Sequence, residues 1–108
     1  MSYTICYYSD TVEQEINALP LKLRVRYAAL TTRMIENGAN LGTPHTEPMG
    51  DGLFELRLKS SEGIARVIYC TLVGKHIIML HSFVKKTQKT PKHDLELAIK
   101  RMKEVKHA

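Results

Sequence analysis

The spacing of apolar residues changes period several times along the chain, and each change marks an element. From Tyr3 to Tyr8 the run YTICYY is β-branched and aromatic, which favours a first strand. Val12, Ile16 and Leu19 then recur at helical spacing, behind Asp10 as a cap with Glu13 three residues on. Pro20 interrupts, so the pattern predicts a short helix, a corner and a second helix from about Leu21. In that helix Leu23, Tyr27, Leu30 and Met34 form the apolar stripe, with Arg24, Arg26 and Arg33 largely off it. Asn37-Gly38 is a stop signal. Ala39 to Gly52 carries Pro44, Pro48, Gly42, Gly50 and Gly52 and reads as loop.

Three strands are predicted next. Leu53 to Lys59 alternates, with Phe54, Leu56 and Leu58 on one face and Glu55, Arg57 and Lys59 on the other. Ile64 to Leu72 is apolar on both faces except at Arg66, as a central strand would be, and His76 to Val84 reads similarly. The links between them are short and contain Gly63 and Gly74, which predicts an antiparallel meander. Thr90 as cap and Pro91 at the first helical position open a last helix with the stripe Leu95, Ala98, Ile99, Met102 and Val105. Residues 1–108 are thus expected to form one α+β domain. Its antiparallel sheet of about four strands is packed by an N-terminal helical hairpin and a C-terminal helix.

Composition narrows the setting. Hydrophobic residues make up 44% of the chain, enough for one modest core. Cys6 and Cys70 are too few for a disulfide framework, no apolar run spans a bilayer, and no signal-peptide pattern opens the chain, so a reducing cytoplasm is expected, with no membrane. The net charge of +5 is unevenly placed. Up to Val84 eight Lys and Arg balance eight Asp and Glu, whereas from Lys85 onward eight basic residues face only Asp94, Glu96 and Glu104. A basic final quarter suits a polyanionic partner, or equally a well-solvated helix.

Candidate chemistry lies in the cations of the meander. Arg57 and Lys59 project from one face of their strand. Arg66 interrupts an apolar strand, where a lone guanidinium is costly to bury, so it must reach a carboxylate such as Glu55 or open onto a cleft. Lys85 and Lys86 end the third strand, and Gln88 and Lys89 follow. Guanidinium forks and ammonium groups converging on one face would hold a phosphodiester. Each also has a plainer reading: an ion pair, a solvated side chain, or a basic run that guards a sheet edge. His81, near a strand end, becomes an acid/base candidate only if it faces the cations. No two histidines have metal-ligand spacing and no phosphate-binding glycine loop occurs, so neither metal nor cofactor is expected.

The run GDGLFELRLKSSEGIARVIYC, continuing through LVGKHIIMLHSFVKKTQKTPKHDLELAIKR, resembles the RelE/ParE toxin superfamily, most closely its HigB-like, phage-derived branch. The features that carry it are Leu53-Phe54-Glu55-Leu56-Arg57, Arg66-Val67-Ile68-Tyr69 and Phe83-Val84-Lys85-Lys86-Thr87 before Thr90-Pro91, with Leu19-Pro20 and Glu36-Asn37-Gly38 upstream. Their order and spacing span nearly the whole chain. The resemblance implies a RelE-like, microbial RNase-like fold and a toxin of a type II toxin–antitoxin system. Many such toxins cleave mRNA on the ribosome without a metal, by attack of a ribose 2′-oxygen on the adjacent phosphate. Carried over by position, Arg57, Arg66, Lys85 and Lys86 would be catalytic, while Lys59, Gln88 and Lys89 would dock RNA. Relatives often place a Tyr or His near the start of the last helix as acid or base; here His93 is the match, beside His81 from the residue reading. The implied partners are a cognate antitoxin with a helix-turn-helix DNA-binding domain, the ribosome and mRNA. Gyrase inhibitors share this fold and supply the alternative function.

Overall fold

The computed structural model describes residues 2–73, 75–86 and 89–107. A strand β1 (Thr4–Tyr7) leads into α1 (Asp10–Asn17) and α2 (Leu21–Asn37). Four strands follow, β2 (Thr46–Gly50), β3 (Leu53–Ser60), β4 (Gly63–Leu72) and β5 (His76–Val84), and α3 (Lys92–Lys106) closes the chain. The five strands form one mixed sheet in the order β1-β5-β4-β3-β2. No helix among the described residues is long and apolar enough to cross a membrane.

Four details correct the sequence reading. The sheet has five strands, and it is not wholly antiparallel, because β1 runs parallel to β5. The extra strand, β2, lies within the segment read as loop. Its proline and glycine are tolerated because β2 is an edge, where Pro48 needs no second partner strand and a bulge falls between Pro48 and Gly50. At α1 the cap is Ser9, whose hydroxyl accepts from the Val12 N–H at 3.2 Å, and Asp10 is already helical. At α3 Pro91 occupies the cap position and Lys92 begins the helix, while the Thr90 hydroxyl points elsewhere. The α2 N-terminus is capped from outside: the Glu62 carboxylate in the β3–β4 turn accepts from the Lys22 N–H at 2.7 Å.

Strand alternation sorts the core into two. Leu56, Leu58, Ala65, Val67, Tyr69, Ile77 and Met79 point to the face covered by Val12, Ile16, Leu23, Tyr27, Leu30 and Met34 of the helical hairpin. Leu53, Ile68, Cys70, Ile78 and Leu80 point to the opposite face, where Ala98 and Met102 of α3 cover them. A register shift between Ile68 and Tyr69 of β4 pairs Ile68 with His81 and Tyr69 with Met79, leaving Leu80 as the extra residue of β5. Arg101 of α3 donates to the Leu80 carbonyl at 2.8 Å, which satisfies the backbone that the bulge displaces.

Candidate active site

The α3 side of the sheet is apolar under the helix and charged beyond it, and the strand register fixes that order in rows. One row crosses β3, β4 and β5 as Arg57, Arg66 and Phe83. The next, towards α3, runs Glu47, Glu55, Ile68 and His81 from β2 to β5. On the far side Lys59 lies opposite Ile64, and the Lys85 N–H donates to the Ile64 carbonyl at 2.8 Å, extending the pairing past Val84. The sheet therefore places Arg57, Lys59, Arg66, His81 and Lys85 on one face, His81 by way of the β5 bulge at Leu80.

Glu55 is the hub of this cluster. Its buried Oε1 lies 3.1 Å from Arg57 Nε and 3.2 Å from Arg66 Nε, and its Oε2 accepts from the Thr90 hydroxyl at 2.9 Å. A second carboxylate, Glu47 on β2, pairs with the outer nitrogen of Arg57. Two guanidinium groups thus meet two carboxylates. The sequence left Arg66 either a carboxylate or a cleft, and the carboxylate is what it has. Its side chain is 10% exposed, against 34% for Arg57. Burial depresses the Arg66 pKa and the neighbouring Arg57 adds to this, while Glu55 opposes both. The pairing is imperfect: Arg66 Nη1 donates to the Ala65 carbonyl at 3.2 Å, but Nε, though close to Glu55, has no aligned hydrogen-bond acceptor among the described residues.

His81 has a partner that sequence did not supply. Its Nε2 lies 2.5 Å from Asp94 Oδ1 in the first turn of α3, and its ring stacks on Phe83 at 5.9 Å. Among the described residues its buried Nδ1 has no hydrogen-bond partner. His93 is exposed, one residue before Asp94, on the helix rather than on the sheet face. Lys59, Lys86 and Lys89 are exposed and Lys85 is half-buried; Gln88 lies outside the described residues. Sequence reasoning missed Glu47, Thr90 and Asp94. The first sat in a presumed loop, and the other two join the site through tertiary contacts that no local pattern encodes.

A five-stranded mixed sheet with a helical hairpin on one face and a lone helix on the other is a fold shared with a solved RelE structure. An Escherichia coli toxin RelE double arginine-to-alanine mutant, solved in the free state, superposes with a TM-score of 0.68 over 94% of this chain and 99% of that one, at 16% identity. The chain belongs to the family described as phage derived protein Gp49-like (DUF891), whose model matches residues 14–103. No curated protein matches it. Family and fold agree with the RelE-superfamily, phage-derived resemblance read from the sequence.

Proposed function

We propose that this chain is the toxin of a type II toxin–antitoxin system, a metal-independent endoribonuclease that cleaves mRNA on the ribosome in the cytoplasm and is held in check by a cognate antitoxin. One observation carries the reading: Arg57 and Arg66 stand directly opposite each other on adjacent strands, on the sheet face that also carries α3. A phosphodiester laid there meets Arg57 first, because it is the more exposed of the two, with Arg66 beneath it and Lys85 and Lys86 at the strand end. In the reaction a ribose 2′-oxygen attacks the adjacent phosphorus and the 5′-oxygen of the next nucleotide leaves. The products are a 2′,3′-cyclic phosphate and a 5′-hydroxyl. Fixed cations stabilise the charge that builds on the phosphate oxygens. Lys85 assists proton transfer, and His81 or His93 supplies acid/base capacity, His81 once its bond to Asp94 opens. Lys59, Gln88 and Lys89 dock the RNA strand, Lys86 adds charge beside Lys85, and the antitoxin, itself a DNA-binding helix-turn-helix protein, covers Lys85, Lys86 and part of α3.

The fold likeness to a protein named as a toxin supports this reading, and so does the charge of the final quarter of the chain. The experiment is brief induction in cells followed by mapping of mRNA 5′ ends. New 5′-hydroxyl ends within coding sequence, suppressed by the neighbour-encoded protein, are expected. Intact mRNA together with DNA damage would instead assign the chain to the gyrase-inhibiting class.

A further inference from the structure

We infer that Glu47 is a tethered carboxylate seated where a substrate phosphate binds Arg57, so that β2 sets the RNA affinity of the site. The inference rests on the phosphodiester reading of Arg57 given above. The two carboxylates of the cluster are held very differently. Glu55 is buried, touches both guanidinium groups and accepts a hydroxyl from Thr90. Glu47 is 44% exposed, stands on an edge strand beside a bulge, and among the described residues forms an ion pair only with Arg57. It is the member that can leave without uncovering a buried charge.

Two further facts favour exchange. Glu47 and Glu55 are direct cross-strand partners, a placement of like charges that is unfavourable unless a cation lies between them. Displacing Glu47 from Arg57 therefore separates two carboxylates as well as freeing a guanidinium edge. A phosphodiester also carries one negative charge, as Glu47 does, so the swap leaves the cluster neutral and keeps Arg66 compensated by Glu55. The guanidinium fork accepts either anion with the same geometry.

The test titrates a fluorescent single-stranded RNA made wholly of 2′-O-methyl nucleotides, which lack the attacking hydroxyl and stay intact. Glu47→Gln and Glu47→Ala should each tighten binding about three- to fivefold, the range of an exposed ion pair. Glu15→Gln makes the same change in net charge on exposed α1, across the sheet, and should tighten binding by no more than about 1.5-fold because solvent screens it. In an Arg57→Ala background the Glu47 variants should gain nothing. Equal gains from Glu47→Gln and Glu15→Gln, or a Glu47 gain that survives in Arg57→Ala, would overturn the inference while leaving the phosphate reading intact. RNA affinity unchanged by Arg57→Ala would overturn that reading and this inference with it.

Discussion

The two faces of the sheet are built from the same strands and solve opposite problems. On the hairpin face, β4 contributes Ala65, Val67 and Tyr69, all fully buried under α1 and α2. Polar groups there are satisfied within the fold: the Tyr7 and Tyr27 hydroxyls bond each other at 2.9 Å, and the Tyr69 hydroxyl donates to the Ala39 carbonyl at 2.5 Å. Burial pushes the Tyr27 and Tyr69 phenols well above their ordinary range, so neither ionises in the folded protein under ordinary conditions. On the α3 face the alternate residues of the same strand are Arg66, Ile68 and Cys70, and only the last two sit in the apolar cluster. One helix of 15 residues packs over the apolar cluster of that face. The larger apolar cluster lies on the face with two helices, and the proposed chemistry lies on the face with one.

That division can be broken by substitution. Leu58→Ala on the hairpin face should cost about 3 kcal/mol, by loss of transfer free energy and creation of a cavity under α2. Chemical denaturation measures it, and a loss under 1 kcal/mol would mean that this face is not the stabilising one. Glu55→Ala on the other face should cost about 3 kcal/mol as well, for a different reason: it strands the buried Arg66 beside Arg57. Arg66→Leu should cost distinctly less, since Glu55 keeps Arg57 and Thr90. The reverse order would show that Arg66, not Glu55, organises the cluster.

A smaller effect sharpens the comparison. Asp94→Ala should remove about 1 kcal/mol by releasing His81 and deleting a carboxylate from the first turn of α3. Hydrogen exchange should quicken in that helix and in β5 near His81, with α1 and α2 unchanged. Exchange altered equally in all three helices would show that the two faces are one cooperative unit.

Much of this was legible in the sequence. The helical stripes Val12-Ile16-Leu19 and Leu23-Tyr27-Leu30-Met34 are buried as read, because period and apolar content agreed over whole helices. The alternation in β3 placed Glu55, Arg57 and Lys59 on one face before any contact was known. What was hidden has physical reasons. β2 was masked by proline and glycine that only an edge strand tolerates, and the parallel pairing of β1 with β5 joins segments some seventy residues apart. The partners of the cations, Glu47 from β2 and Asp94 from α3, are set by register and helix docking rather than by local spacing. Net charge indicated a basic end to the chain, but not that Arg57 and Arg66 would be neutralised from within.

The central claim is that the face beyond α3 stabilises a cleaved phosphate, and Arg57→Ala tests it most directly. Arg57 is the exposed guanidinium of the pair, and Arg66 keeps its contact with Glu55 when Arg57 is removed. The measurement is single-turnover cleavage of mRNA on programmed ribosomes by purified wild type and Arg57→Ala, with thermal unfolding of both recorded alongside. The account predicts cleavage slowed roughly a hundredfold, about 3 kcal/mol of transition-state stabilisation, in a protein that is still folded, with some loss of unfolding temperature from the exposed Glu47–Glu55 repulsion. Arg57→Lys should recover only part of the rate, because an ammonium lacks the two-pronged fork. A folded Arg57→Ala protein that cleaves at the wild-type rate would contradict the account.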